Sequence, residues 1–373
     1  MTDHFFNRLI SMANKYKSSD IHLQTGEFPY FRTNGVVKEV PTERKLSLED
    51  VKEIQGIVLQ NNEKLLQDFN KNKQIDVSYE LEGVCRNRIN ISECMEGIQI
   101  VCRIIPNHIP TIDEFKMPAV FKNIASENNG MVLLSGTTGS GKSTTIAAMI
   151  EHINQNFRKK IITLEDPIEF AHKPNKSIFS RRELGKHIDS FSNGLKAAMR
   201  QDPDIILIGE MRDTESIKQG ILAALTGHLV FSTVHAEDTV SLPERIISTF
   251  PAGEQNQIRD QIAEVGLAFI AQKLIPRSDK PGRVAAYEIL ILDASARNVI
   301  RESRTEQLVN VLQTRVQEGC IEMTKHLIEL HKEGKISKES LIQSAPNKSR
   351  AREYAMSIIN VDTSEPVFFC REY

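Results

Sequence analysis

The sequence predicts an α/β protein: a largely parallel sheet layered with helices, preceded by a smaller α+β domain and followed by a helical region. Two observations carry that reading. Between about residues 119 and 345, apolar runs at 131–135, 161–165, 178–182, 204–209 and 229–234, then 271–275 and 284–291, alternate with helix-spaced segments. That is the pattern of strands joined by crossover helices. Within it, Met131-Val132-Leu133-Leu134 leads into a glycine-rich loop at 136–143 and then a helix-favouring stretch at 144–153. Strand, tight loop and helix in that order form a recurrent unit of such sheets.

The remaining elements follow in chain order. Residues 5–16 have helical apolar spacing, and Asp20-Ile21-His22-Leu23 reads as a short strand. Tyr30-Phe31-Arg32 and Val36-Val37 flank Asn34-Gly35, a dipeptide that tolerates the positive φ of a two-residue hairpin turn. Residues 48–69 read as one helix, and strands follow at 75–79, 86–91 and 98–104. Residues 1–105 thus form one α+β domain. Pro106, Pro110 and Pro118 make 106–118 an extended linker on which two domains can move. Residues 119–345 form the second domain. The stretch 346–373, polar and then ending in Val367-Phe368-Phe369, reads as a loosely docked tail.

A chain of 373 residues has room for both domains and a sizeable core. Its formal net charge of -2 gives no reason to expect nucleic acid or an anionic membrane as partner. No run reaches the roughly 18 apolar residues of a membrane span. The start, Met1-Thr2-Asp3-His4, lacks the form of a secretory signal, so a cytoplasmic protein is expected. Cys85, Cys94, Cys102, Cys320 and Cys370 are widely spaced with no CxxC pair, which reads as free thiols.

The loop at 136–143, Gly-Thr-Thr-Gly-Ser-Gly-Lys-Ser, matches the phosphate-binding pattern GxxxxGK[ST]. Gly136, Gly139 and Gly141, with Thr137, Thr138 and Ser140 between them, let successive N–H groups turn toward phosphate oxygens. A helix starting near Lys142 adds the positive end of its dipole. Lys142 is expected to reach the β- and γ-phosphates, Ser143 to ligate Mg²⁺, and Thr144 to lie near the α-phosphate. ATP and Mg²⁺ are the expected ligands.

Hydrolysis also needs a carboxylate near the γ-phosphate. Two strand ends offer one: residues 161–170, containing Glu165 and Glu169, and residues 204–210, ending in Glu210. Ligands in such sheets bind beyond the carboxyl ends of the strands. A third segment, 226–235, brackets a core strand with His228 and His235, which suits nucleotide sensing.

The blocks GTTGSGKST, ITLEDPIEF, DPDIILIGEMRD and TGHLVFSTVH occur in that order over roughly 130–236. They resemble the Walker A, Asp, Walker B and His boxes of the secretion and type IV pilus motor ATPases. The likeness reaches upstream to Ser19-Asp20-Ile21-His22-Leu23 and downstream past Ala285. It implies a RecA-like P-loop ATPase core with a PAS-like N-terminal domain, assembled as a homohexamer docked on an inner-membrane pilus platform. Lys142 and Ser143 would hold phosphate and Mg²⁺, and Glu210 the metal through water. Glu169 would orient or activate the attacking water, with Glu165 a competitor for that role. His228 and His235 would lie near the γ-phosphate. Among N-terminal arginines that could approach the nucleotide, Arg88 and Arg103 are favoured over Arg86.

Retraction motors of this family carry an AIRNLIRE element, of which residues 295–302 keep five of eight positions. Assembly motors usually add a tetracysteine zinc module and a longer N-terminal region, neither evident here. Pilus retraction is therefore the expected work, with an accessory motor or secretion ATPase of the same family as the alternative. A nucleotide-gated regulator is disfavoured because Glu169 and Glu210 are both present. A nucleic-acid motor is disfavoured by charge and by the lack of basic-aromatic interleaving.

Overall fold

The computed structural model describes residues 2–33, 35–42, 44–105 and 109–362. It divides into two units, Met1–Ile109 with Glu169–His172, and Pro110–Ile168 with Lys173–Tyr373. In the first, α1 (Thr2–Lys15) precedes β1 (Asp20–Gln24), β2 (Tyr30–Thr33) and β3 (Val36–Glu39). Next come α2 (Leu48–Val58), α3 (Glu63–Asn72), β4 (Gln74–Leu81), β5 (Cys85–Cys94) and β6 (Gly97–Ile105). The strands form one antiparallel sheet in the order β3-β2-β1-β6-β5-β4. Ile89, Ile91, Ile100 and Cys102 face a core shared with Phe6, Leu9 and Ile10 of α1 and Val51 and Ile54 of α2. Alternation leaves charged side chains on the other face. A two-residue connection joins Thr33 to Val36; Asn34 of the expected turn lies outside the described residues, and Gly35 has φ 82°.

The single helix expected over 48–69 is two helices. Gln60 and Asn61 take positive φ values of 52° and 51°. The Asn62 side chain then accepts from the Lys64 and Leu65 N–H groups and starts α3. Apolar spacing runs through the break, but asparagine competes for backbone hydrogen bonds inside a helix and favours its N-cap.

The second unit begins with α4 (Val120–Ala125), β7 (Gly130–Ser135), α5 (Lys142–Asn156), β8 (Lys160–Glu165) and β9 (Ile178–Glu183). It continues with α6 (Phe191–Ala198), β10 (Ile205–Ile208), α7 (Thr214–Leu225), β11 (Leu229–Val234), α8 (Leu242–Ile247) and α9 (Ala252–Val265). Two long strands, β12 (Gly266–Pro276) and β13 (Arg283–Ile291), complete a sheet of order β13-β12-β7-β11-β10-β8-β9. Every pairing is parallel except β12 with β13. Alternate residues of β7 enter different cores. Met131 and Leu133 pack with Ile217 of α7 and Ile258 of α9, whereas Val132 and Leu134 pack with Ile146 and Met149 of α5. Coverage on both faces is why these strands read as unbroken apolar runs.

Helices α10 (Ala294–Arg301), α11 (Leu308–Thr314), α12 (Met323–Lys332), α13 (Lys338–Ser344) and α14 (Lys348–Asp362) follow. Met323, Leu327, Leu341 and Ala351 share a small core with Ile275 and Ala286. The expected tail therefore begins as packed helix. Ala351 and Ala355, one turn apart, are both buried, a narrow stripe that a polar composition conceals. Val367-Phe368-Phe369 and Cys370 lie outside the described residues, as do Pro106 and His108. Within the expected linker, 106–118, Ile112 and Met117 are buried against Val120 and Phe121, so its later part is packed rather than extended. Among the described residues no helix is long and apolar enough to cross a membrane, and Cys85, Cys94, Cys102 and Cys320 are free thiols.

Residues 295–302 have a structural anchor. Asp293 caps α10 by accepting from the Ala296 N–H at 2.8 Å. Arg297 donates to the carbonyls of Ala263 and Gly266 at 2.8 Å, Leu292 at 3.0 Å, and Glu264. Three of these oxygens surround the C-terminal end of α9, where N–H partners run out and positive charge is favoured. Arg297→Ala is expected to lower the unfolding free energy by about 3 kcal/mol, read as a lower urea midpoint at unchanged slope. Arg297→Lys should recover only part, because one ammonium cannot span four carbonyls.

Candidate active site

The parallel register brings the C-terminal ends of the central strands together. Ser135 lies beside Val234, and Ile208 lies between Leu164 and Ser232. Beyond those ends come the glycine loop, Glu165, Gly209-Glu210 and His235. Gly136 and Gly141 have φ values of 138° and 88°, both outside the range side chains favour. A Cβ at Gly136 would stand 2.5 Å from the Gln272 carbonyl oxygen. Lys142 folds over the loop, its Nζ donating to the carbonyls of Gly136 at 2.7 Å and Thr137 at 3.2 Å. Thr137, Thr138 and Gly139 are exposed, Ser140 is buried, and Ser143 and Thr144 are half-buried. Lys142, Ser143 and Thr144 open α5, where N–H groups have no acceptor earlier in the helix. The cradle thus offers an anion N–H groups, an ammonium and a hydroxyl.

Glu210 stands beside it and is paired on both oxygens. Arg212 approaches one of its oxygens at 2.6 Å and His235 Nε2 the other at 2.8 Å. The Thr233 hydroxyl donates to the Gly209 carbonyl at 2.7 Å, tying the ends of β10 and β11 together. Burial opposes charge on Glu210, but the bond to Arg212 and the positive fields of Arg212, His235 and Lys142 outweigh it and hold the carboxyl below its usual range. The stability contributed by the Arg212 pair is therefore present above the ordinary glutamate range, about pH 4.3, and is lost as pH falls below it. No motif pattern marks Arg212, although it stands two residues after Glu210. Glu165 ends β8 with only 9% exposure.

His228, expected beside the phosphate with His235, instead precedes β11. The six-residue strand between them puts the two histidines seven residues apart, about 23 Å at about 3.3 Å per residue. Its Nδ1 donates to the Ala223 carbonyl at 2.8 Å and so closes the turn after α7. Within one chain it stands apart from the grouping around Lys142.

The family described as Type II/IV secretion system protein matches residues 1–353. The chain belongs to this family. It is 39% identical over 343 residues to a twitching motility protein of Neisseria gonorrhoeae, covering 90% of this chain and 91% of the other. It is 38% identical over 338 residues to the type IV pilus retraction ATPase PilT of Pseudomonas aeruginosa, covering 90% and 97%. The solved structure of the pilus retraction motor PilT with bound ADP matches it with TM-score 0.86 at 36% identity, covering 93% and 98%. The chain is accordingly a nucleotide-binding ATPase with the fold of that motor.

Three expected site residues of this secretion ATPase belong to its first unit. Glu169 opens the segment Glu169–His172 and is exposed. Arg88 pairs in register with Arg103, Arg103 with Asp20, and Asp20 with Arg32. Cross-strand partners share a face, so these four side chains form a row across β5, β6, β1 and β2. Buried Asp20 lies 3.1 Å from Arg103 and 3.9 Å from Arg32, and Arg88 lies 3.8 Å from Asp76. Arg88 and Arg103 remain 45% and 68% exposed, whereas Arg86 is only 13% exposed beside Glu80.

Proposed function

We propose that this chain is the ATP-hydrolysing motor of type IV pilus retraction, working as a homohexamer on the cytoplasmic side of an inner-membrane platform protein, with no nucleic acid in its cycle. The observation that carries the reading is the grouping at the ends of β7, β10 and β11. There the glycine loop and Lys142 meet Glu210, itself held by Arg212 and His235. Likeness to a retraction ATPase over nearly its whole length supports the direction of the work.

On this reading Lys142 exchanges the carbonyls of Gly136 and Thr137 for the β- and γ-phosphates, while the loop and the first turn of α5 hold phosphate oxygens. The Ser143 hydroxyl and the ionised Glu210 carboxylate fit Mg²⁺, a hard cation that takes few protein ligands and keeps water and phosphate around it. When bound, Mg²⁺ supplies charge neutralisation on the phosphates. Glu169 orients or deprotonates the attacking water. His235, held by Glu210, senses whether the γ-phosphate is present. Arg88 and Arg103 of one subunit serve the nucleotide of its neighbour, and loss of the γ-phosphate frees them, so the first unit moves.

Mixed rings test this arrangement. Arg88→Ala and Lys142→Ala subunits should each be inactive alone. Mixing them should restore partial turnover, because some sites then combine an intact loop with a neighbour's intact arginine. Mixed rings as inactive as their parents would contradict the shared site. Added DNA should leave turnover unchanged.

A further inference from the structure

We infer that Gln272, on a strand with no part in the motifs, is a positioning residue that clamps the glycine loop in its nucleotide-binding shape. Strand β12 pairs in parallel with β7, Ala271 opposite Ser135, so the next residue of β12 lies alongside Gly136. There Gln272 is 2% exposed, and it touches the loop at three points. Its carbonyl oxygen is where a Gly136 Cβ would collide, at 2.5 Å. Its Nε2 donates to the Ser140 carbonyl at 2.7 Å. The same nitrogen would stand 2.9 Å from a Cβ at Gly141.

The amide orientation is fixed by its neighbours. A carbonyl can only accept, so the NH₂ must face Ser140. The amide oxygen then faces the Thr145 hydroxyl, which donates to it at 2.7 Å. Thr145 is 2% exposed in α5. One amide therefore joins the loop backbone to the helix that carries Lys142 and Ser143. A buried amide deprived of either partner is costly, so loop and helix are held in one relative position. This geometry orients the N–H groups before nucleotide arrives, lowering the ordering cost of binding.

The inference rests on reading 136–143 as the phosphate cradle, and the experiment separates the two. ADP affinity is measured by calorimetry on the full chain, with the thermal midpoint recorded for each variant. Gln272→Met keeps the shape and removes both bonds, while Thr145→Val removes one. Each should weaken ADP by about tenfold or more. The double variant should lie within about twofold of the weaker single, since both break one clamp. Leu327→Ala, in the separate core at α12, should lower the thermal midpoint and leave ADP affinity unchanged. Wild-type affinity in Gln272→Met and Thr145→Val overturns the clamp, as does a fully additive double variant or an equal loss in Leu327→Ala. If Gln272→Met does not fold, Thr145→Val against Leu327→Ala decides. Undiminished nucleotide affinity in Lys142→Ala would fault the cradle reading itself.

Discussion

Lys142→Ala should reduce ATP turnover by about a thousandfold while leaving the fold intact. The ammonium reaches loop carbonyls from a half-buried position, so its loss opens no core cavity. On the proposed reading, what disappears is a positive charge beside the transferring phosphoryl group, where charge grows during the reaction. Glu210 also loses one of the positive fields that hold its carboxyl down. Steady-state phosphate release, with the thermal midpoint measured on the same sample, checks this. Wild-type turnover in a folded variant would sink the site assignment.

Glu169→Gln should lower turnover by about a hundred- to ten-thousandfold and leave ATP binding intact, because the amide keeps the shape but cannot take a proton. Glu165→Gln should retain most activity. The two carboxylates are four residues apart, and their settings differ: Glu165 is buried at the end of β8, whereas Glu169 is exposed in an irregular segment. An exposed carboxylate can come up to a water at the γ-phosphate, which the end of a sheet strand is less free to do. Single-turnover hydrolysis, with binding measured separately, distinguishes them. Loss confined to Glu165→Gln would move the base to that residue.

The parts of this account legible in the sequence are those written in consecutive residues. The glycine loop occupies eight positions in a row, and Glu210 follows directly on an apolar run whose burial on both faces the sheet requires. What escaped depends on partners far along the chain. Gln272 bonds to Ser140 across 132 residues, and only the β7–β12 pairing puts it there. The row from Arg88 to Arg32 needs the register of four strands. His228 and His235 carry the same motif weight, yet a six-residue strand holds them at opposite ends. Asn62 broke a helix because a capping side chain outweighed an unbroken apolar spacing. In α14, two alanines buried a helix that its polar residues disguised.

Surface piliation of a deletion strain tests the direction of the motor most directly. Removing a retraction motor leaves assembly running unopposed, so electron microscopy should show excess pili that no longer shorten. Re-expression of the wild-type chain should restore retraction, and Lys142→Ala should not. Bald cells after deletion, or pili that still retract at the wild-type rate, would contradict the account.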